Sequence, residues 1–102
     1  MTRCLIIATD GTITPTQLDT LEDFQKAVGG YIERIPFGPQ CNAFVNEFGI
    51  PDGLPFNARA SHLWHVLVPW CDDPLYGPVV IAGRFDEDGN NTDVPANFLG
   101  VE

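Results

Sequence analysis

Asp19-Thr20-Leu21-Glu22-Asp23-Phe24-Gln25-Lys26-Ala27-Val28-Gly29-Gly30-Tyr31-Ile32-Glu33-Arg34-Ile35-Pro36-Phe37 reads as a capped helix, a glycine stop and a strand. Thr20, or Asp19 before it, can cap the helix, and Asp23 stands three residues after Thr20 in the place of a capping-box acid. Leu21, Phe24 and Val28, with Ala27 beside them, form an apolar stripe, while Glu22, Asp23, Gln25 and Lys26 fill the wet side. Gly29 offers the positive φ that ends a helix. Residues 31–37 then leave as a strand in which Tyr31, Glu33, Ile35 and Phe37 share one parity, setting a carboxylate among apolar neighbours. A buried unpaired carboxylate is costly. The solutions are a bulge, a partner such as Arg34 or Arg3, or, as the favoured one, a glutamate reaching water at the edge of a sheet.

Upstream, residues 3–9 are almost continuously apolar, the pattern of a central strand covered on both faces. Asp10-Gly11 separates them from Thr12-Ile13-Thr14, a hairpin signal with a type I′ turn. Pro15 cannot donate to a ladder, so this second strand belongs at an edge or is bulged. Downstream, Gly38-Pro39 is a turn and residues 41–47 read as a fourth strand carrying Phe44 and Val45. Residues 49–57, with two prolines and two glycines, read as an ordered loop. Asn57 is placed to cap a short helix over residues 58–67 with Ala60, Leu63 and Leu67 inward. A strand over residues 63–68 is the alternative, and periodicity does not separate the two over so short a run. Residues 70–76 are an acidic aromatic loop, 77–83 a second buried strand and 86–93 an acidic turn. Residues 95–101 read as a last helical turn packing Phe98 and Leu99. The order ββαββ(α)β specifies one compact α+β domain over residues 1–102. It has an N-terminal hairpin and a helix packed on a mixed or antiparallel sheet, with a β-grasp-like arrangement as one form.

Fourteen acids face five bases in 102 residues, a formal net charge of −9, and Lys26 is the only lysine. The length suits a single core, and 44% hydrophobic with 19% charged residues excludes wholesale disorder. So acidic a surface repels phosphate backbones and anionic membranes, which argues against direct nucleic-acid binding. It serves solubility, or suits a basic protein partner. Cys4, Cys41 and Cys71 form no Cys-x-x-Cys pair. The N-terminal apolar run is too short for a signal-peptide core, and no stretch approaches a membrane span. An odd cysteine count then implies reduced thiols in a cytoplasm, each read as a small buried hydrophobe.

Asp86-Glu87-Asp88-Gly89-Asn90-Asn91-Thr92-Asp93 has acids enough for calcium but places glycine at position 4 of the loop, not 6, and so reads as a solvated turn. His62 and His65 would share a helix face, yet no paired cysteines accompany them to complete a zinc site. Asp72 and Asp73 would raise, not lower, the pKa of Cys71. No serine sits in a nucleophile elbow, and Gly29-Gly30 follows a helix where a phosphate loop would open one. These observations lead to no catalytic residue, metal or cofactor. Two sets look suited to binding. Asn42, Asn46, Glu47 and Asn57, with Arg34 and Arg59, form a candidate ligand set on and around the glycine- and proline-rich loop. The asparagines could equally satisfy turn backbone. Trp70, Asp72, Asp73 and Tyr76 form a candidate partner surface, with Trp64 assigned to the core.

Val28-Gly29-Gly30-Tyr31-Ile32-Glu33, preceded by Leu21-Glu22-Asp23-Phe24-Gln25, resembles the signature of a family of uncharacterised domains of about this length. So do Val45-Asn46-Glu47 with Gly49, Leu54-Pro55 with Asn57 and Ala60, and Gly77-Pro78-Val79-Val80. Its members occur in bacteriophages and in bacteria, actinobacteria among them. The resemblance runs over residues 5–95 and misses residues 61–76, where both tryptophans and both histidines lie. It implies a phage or mobile-element origin and a life in the host cytoplasm, and no reaction. The expectation is therefore a non-catalytic acidic binding module acting against host defence, by masking a host protein or sequestering a signalling nucleotide, with an oligomer as one form. A nucleotide sponge requires Arg3, Arg34, Arg59 and Arg84 to converge in numbers. The alternatives are a small hydrolase or metal-dependent enzyme using His62 or His65, and, last, an acidic mimic of DNA.

Overall fold

The Thr20 hydroxyl accepts the Asp23 N–H at 3.2 Å, and the Asp23 carboxylate accepts the N–H groups of Thr20 and Asp19 at 3.0 and 2.9 Å. This reciprocal capping box heads α1 (Leu21–Val28) in the computed structural model, which describes residues 1–100. Gly29 closes the helix at φ 81°, donating to the Gln25 carbonyl together with Gly30. Only Phe24 and Val28 of the expected stripe are buried, and Leu21 is 61% exposed. This helix of two turns rests on the sheet by its C-terminal half, so its first residue overhangs. Burial of Phe24 and Val28 is worth roughly 1.5–3 kcal/mol each.

Among the described residues five strands lie in the order β2-β1-β5-β4-β3: β1 (Thr2–Ile7), β2 (Ile13–Leu18), β3 (Ile32–Pro36), β4 (Cys41–Asn46) and β5 (Val79–Gly83). Every pairing is antiparallel. The mixed sheet falls away, and with it the β-grasp-like form, which needs a parallel central pair. Two hairpins, β1–β2 and β3–β4, are joined by α1, and β5 runs between them. The first hairpin turns differently from expectation. Gly11 alone is left-handed, at φ 92°, where a type I′ turn would need Asp10 to be so as well. The loop is three residues long, held by Ala8 N–H to Thr12 O at 2.9 Å and by the Asp10 carboxylate accepting the Thr12 N–H at 2.8 Å.

Residues 58–67 resolve as helix, α2 (Ala58–Leu67), because Asn57 caps it by accepting the Ala60 N–H. α2 covers one face of the sheet, where Ala60, Trp64 and Val68 pack on Leu5, Ile7, Ala43, Val79 and Ile81. α1 covers the other, where Phe24 and Val28 meet Cys4, Phe44, Val80 and Ala82. Covered on both faces, β4 and β5 are buried at every position. β3 is an edge strand, and Glu33 is exposed, so its parity is resolved by reaching water. Ile32 packs toward α1 and Ile35 toward α2.

Both edges carry a proline at a telling phase. Glu47 N–H donates to Tyr31 O and Phe37 N–H to Cys41 O, so odd residues of β3 face β4 and the nitrogen of Pro36 points outward. By the same alternation from Ala8 and Thr12, the nitrogen of Pro15 on β2 also points outward. Proline is tolerated there because no ladder bond is lost, and it blunts the edge. On β3 the outward carbonyl of Pro36 is itself taken by the Trp64 indole N–H at 2.9 Å. After β5 the chain returns across the sheet end: Gly83 N–H bonds Thr92 O, Val94 N–H bonds Arg3 O, and Val94 enters the core. The expected terminal helical turn is a 3₁₀ turn, Phe98–Gly100, with Leu99 at φ 57°, and Phe98 and Leu99 pack against the core. Val101 lies outside the described residues.

Candidate functional site

The six candidate ligand residues do not form one site. Asn57 is fully buried, and each of its polar atoms is bonded within the chain. Its amide nitrogen donates to the carbonyls of Ile7 and Gly77, both at 2.9 Å, while its side-chain oxygen caps α2. Ser61 completes this knot. Its hydroxyl donates to Asn57 O at 2.7 Å and accepts the Leu75 N–H at 2.9 Å. Asn57 thus ties β1, α2 and the entry to β5 together, and has no surface to offer a ligand. Asn46 is also scaffold, donating to Val28 O at 3.2 Å and accepting the Phe48 N–H at 2.8 Å. Arg59 reaches back to the first hairpin, donating to Gly11 O at 2.8 Å.

Arg34 and Asn42 do meet. The guanidinium donates to the Asn42 side-chain oxygen at 3.2 Å, and its carbon lies 5.5 Å from the centre of the Phe85 ring. Both residues line a groove of about 520 Å³ where β3, the β3–β4 turn, the end of α2 and the exit of β5 converge. Pro36, Leu67 and Val68 supply its apolar surface, and Arg84 supplies a second guanidinium, anchored on Pro39 O at 3.3 Å. Trp70 stands at its rim, 85% exposed. None of the described lining residues is an acid. Among the described residues neither guanidinium lies within ion-pair distance of a carboxylate. No local sequence signal joins Arg34, Trp70 and Arg84, which only the fold brings together. Arg3 lines a different cleft with Asp93, Val94, Ala96 and Asn97, so two of the four arginines converge, not all.

The remaining partner residues lie elsewhere. Asp73 and Tyr76 line a second groove of about 340 Å³ with Glu33, Glu47, Ile35 and Trp64, on the α2 side of β3. Tyr76 also packs edge-on against Phe56, ring centres 5.8 Å apart. Asp72 is exposed and lines neither groove. His65 bonds the Asp73 carbonyl at 2.8 Å and stacks beside Trp64, and His62 is exposed; neither lines either groove. The thiols of Cys4 and Cys41 are pushed up to about 11 by burial, for Cys4 with a smaller contribution from Asp93, and so stay protonated. Cys71 is half-buried and packs on the core. The Asp86 carboxylate accepts the N–H groups of Asp88 and Asn90, both at 2.9 Å, folding the acidic stretch into a self-capped turn. Among the described residues no helix is long and apolar enough to cross a membrane.

A family model described as a domain of unknown function (DUF3846) matches residues 1–100. No curated protein and no solved structure matches the chain. The chain belongs to the DUF3846 family.

Proposed function

Taking membership of a family without an assigned reaction as the premise, we propose that this chain is a non-catalytic binding module whose recognition surface is the Trp70 groove. One observation carries the reading: Trp70, 85% exposed, stands beside two unneutralised guanidiniums in a groove without acids. Tryptophan and arginine are the residue types that supply most hot-spot energy at interfaces. An indole left in water gains nothing for the fold, whereas burying it against a partner removes 150 Å² or more of apolar surface, roughly 4 kcal/mol before the costs of association. The enzymatic alternative finds less support, since His62 and His65 line neither groove.

Within this reading the chain is an accessory protein of a phage or mobile element, acting in the host cytoplasm against host defence. The small acidic fold and the motif resemblance support that setting. The test compares wild type with Trp70→Ala, by native mass immediately after purification and by affinity capture from the host. Loss of a bound species, or a drop in measured affinity of about 30-fold, is the expected hot-spot effect. A variant indistinguishable from wild type in both measurements refutes the reading.

A further inference from the structure

Resting on the Trp70 groove as the recognition surface, we infer that its occupant is a nucleoside phosphate. The anionic half follows from charge. In a chain with fourteen acids and five bases, this groove holds two guanidiniums and no described acid, whereas the other two grooves each set at least one carboxylate against an anion. Arg34 and Arg84 each donate to one neutral oxygen, Asn42 Oδ1 and Pro39 O, and keep further N–H donors of the fork for a phosphate. Arg34 is held in place by Phe85, so little side-chain freedom is lost on binding.

The planar half follows from the rim and floor. Trp70 offers a flat indole, and Pro36, Leu67 and Val68 line the same groove with apolar groups. Base–aromatic stacking needs no base-specific hydrogen bonds. A cavity of about 520 Å³ falls within the range of small-ligand sites. A nucleic-acid strand would run beyond the groove onto acidic surface, and its phosphates would be repelled. A single nucleotide fits the charge pattern.

The test titrates the purified full chain with the 5′-monophosphates of adenosine, guanosine, cytidine and uridine, following tryptophan fluorescence and binding heat. Adenosine and inorganic phosphate serve as half-ligand controls. At least one monophosphate is expected to bind saturably, with each half-ligand roughly tenfold weaker or more. Arg84→Gln and Trp70→Ala, both exposed and checked for folding by circular dichroism, should each weaken that binding by a similar factor. No response to any monophosphate at millimolar concentration overturns the inference, as does phosphate alone binding equally well. If nucleotides fail while Trp70→Ala still abolishes binding of a captured protein, the inference falls and the binding-module reading stands. If Trp70→Ala changes neither, that reading falls too.

Discussion

Replacing Asn57 isolates the knot that joins both halves of the core. Asn57→Ala removes the cap of α2, worth about 1 kcal/mol. It also withdraws the shared donor from the carbonyls of Ile7 and Gly77, each 2.9 Å from the amide nitrogen. A buried carbonyl left short of a partner costs about 1–3 kcal/mol. The sum over the cap and both carbonyls is about 3–7 kcal/mol, set against a total of roughly 5–15 kcal/mol for a domain of this size. In thermal melts followed by circular dichroism, that corresponds to a fall in Tm of about 15–35 °C. The decisive comparison uses two further variants. Asn57→Ser keeps a capping oxygen and should lose less than Ala. Asn57→Asp also keeps the cap but turns an acceptor, charged at neutral pH, toward two carbonyls, and should lose more. Its buried carboxyl would have a raised pKa, so its penalty should be smallest below the unfolded value near 3.9 and grow as pH rises. If Asn57→Asp melts at neutral pH above Asn57→Ala, the donor role assigned to the amide is wrong.

Three further outcomes are expected. Because folding raises the thiols of Cys4 and Cys41 from 9.0 to about 11, their contribution is intact below about pH 9 and is lost as pH climbs toward 11. Urea titrations across that window should show falling stability, and iodoacetamide should label Cys71 well before the other two. Asp10 and Asp23 are lowered from the ordinary 3.8, chiefly by the backbone N–H groups of Thr12 and Thr20 respectively. Their contributions are present above that value and disappear as pH falls through the lower folded one, which carboxyl NMR titration would reveal; ordinary titration of both would contradict the caps. Gly83→Ala would drive a Cβ into the Asp93 carbonyl and the Thr92 hydroxyl, so a loss of about 1–3 kcal/mol or more is expected in urea unfolding, and a neutral variant would mean the returning segment is misplaced.

Much of the fold is legible locally because its signals act over four or five residues. Thr20 and Asp23, the stop at Gly29, and the cap at Asn57 each work through backbone groups close in sequence. The limits are equally physical. Leu21 belongs to the apolar pattern, but a helix of eight residues has too little length to bury every member. Asn57 looks like a loop asparagine open to ligands, and only the pairing of β1 with β5 brings the Ile7 and Gly77 carbonyls to it. The candidate site is the least legible. Trp70 is readable only as a candidate partner contact or a core aromatic, and its neighbours Arg34 and Arg84 come from an edge strand and from the exit of β5. No periodicity encodes that meeting, because it depends on strand order.

The strand order has a consequence for how the chain reaches its native state. β5 is the last strand made, yet it occupies the centre, flanked by the partners β1 and β4 of two separate hairpins. Until residues 79–83 arrive, the early chain consists of two half-sheets, each with an open apolar edge and bridged only by α1. Its pairing with β1 closes a loop of more than seventy residues (Leu5↔Ile81), the kind of non-local contact that slows folding. β5 is a keystone. Its slot is where aggregation would begin during synthesis, and where the last strand of a second copy would insert to give a swapped dimer.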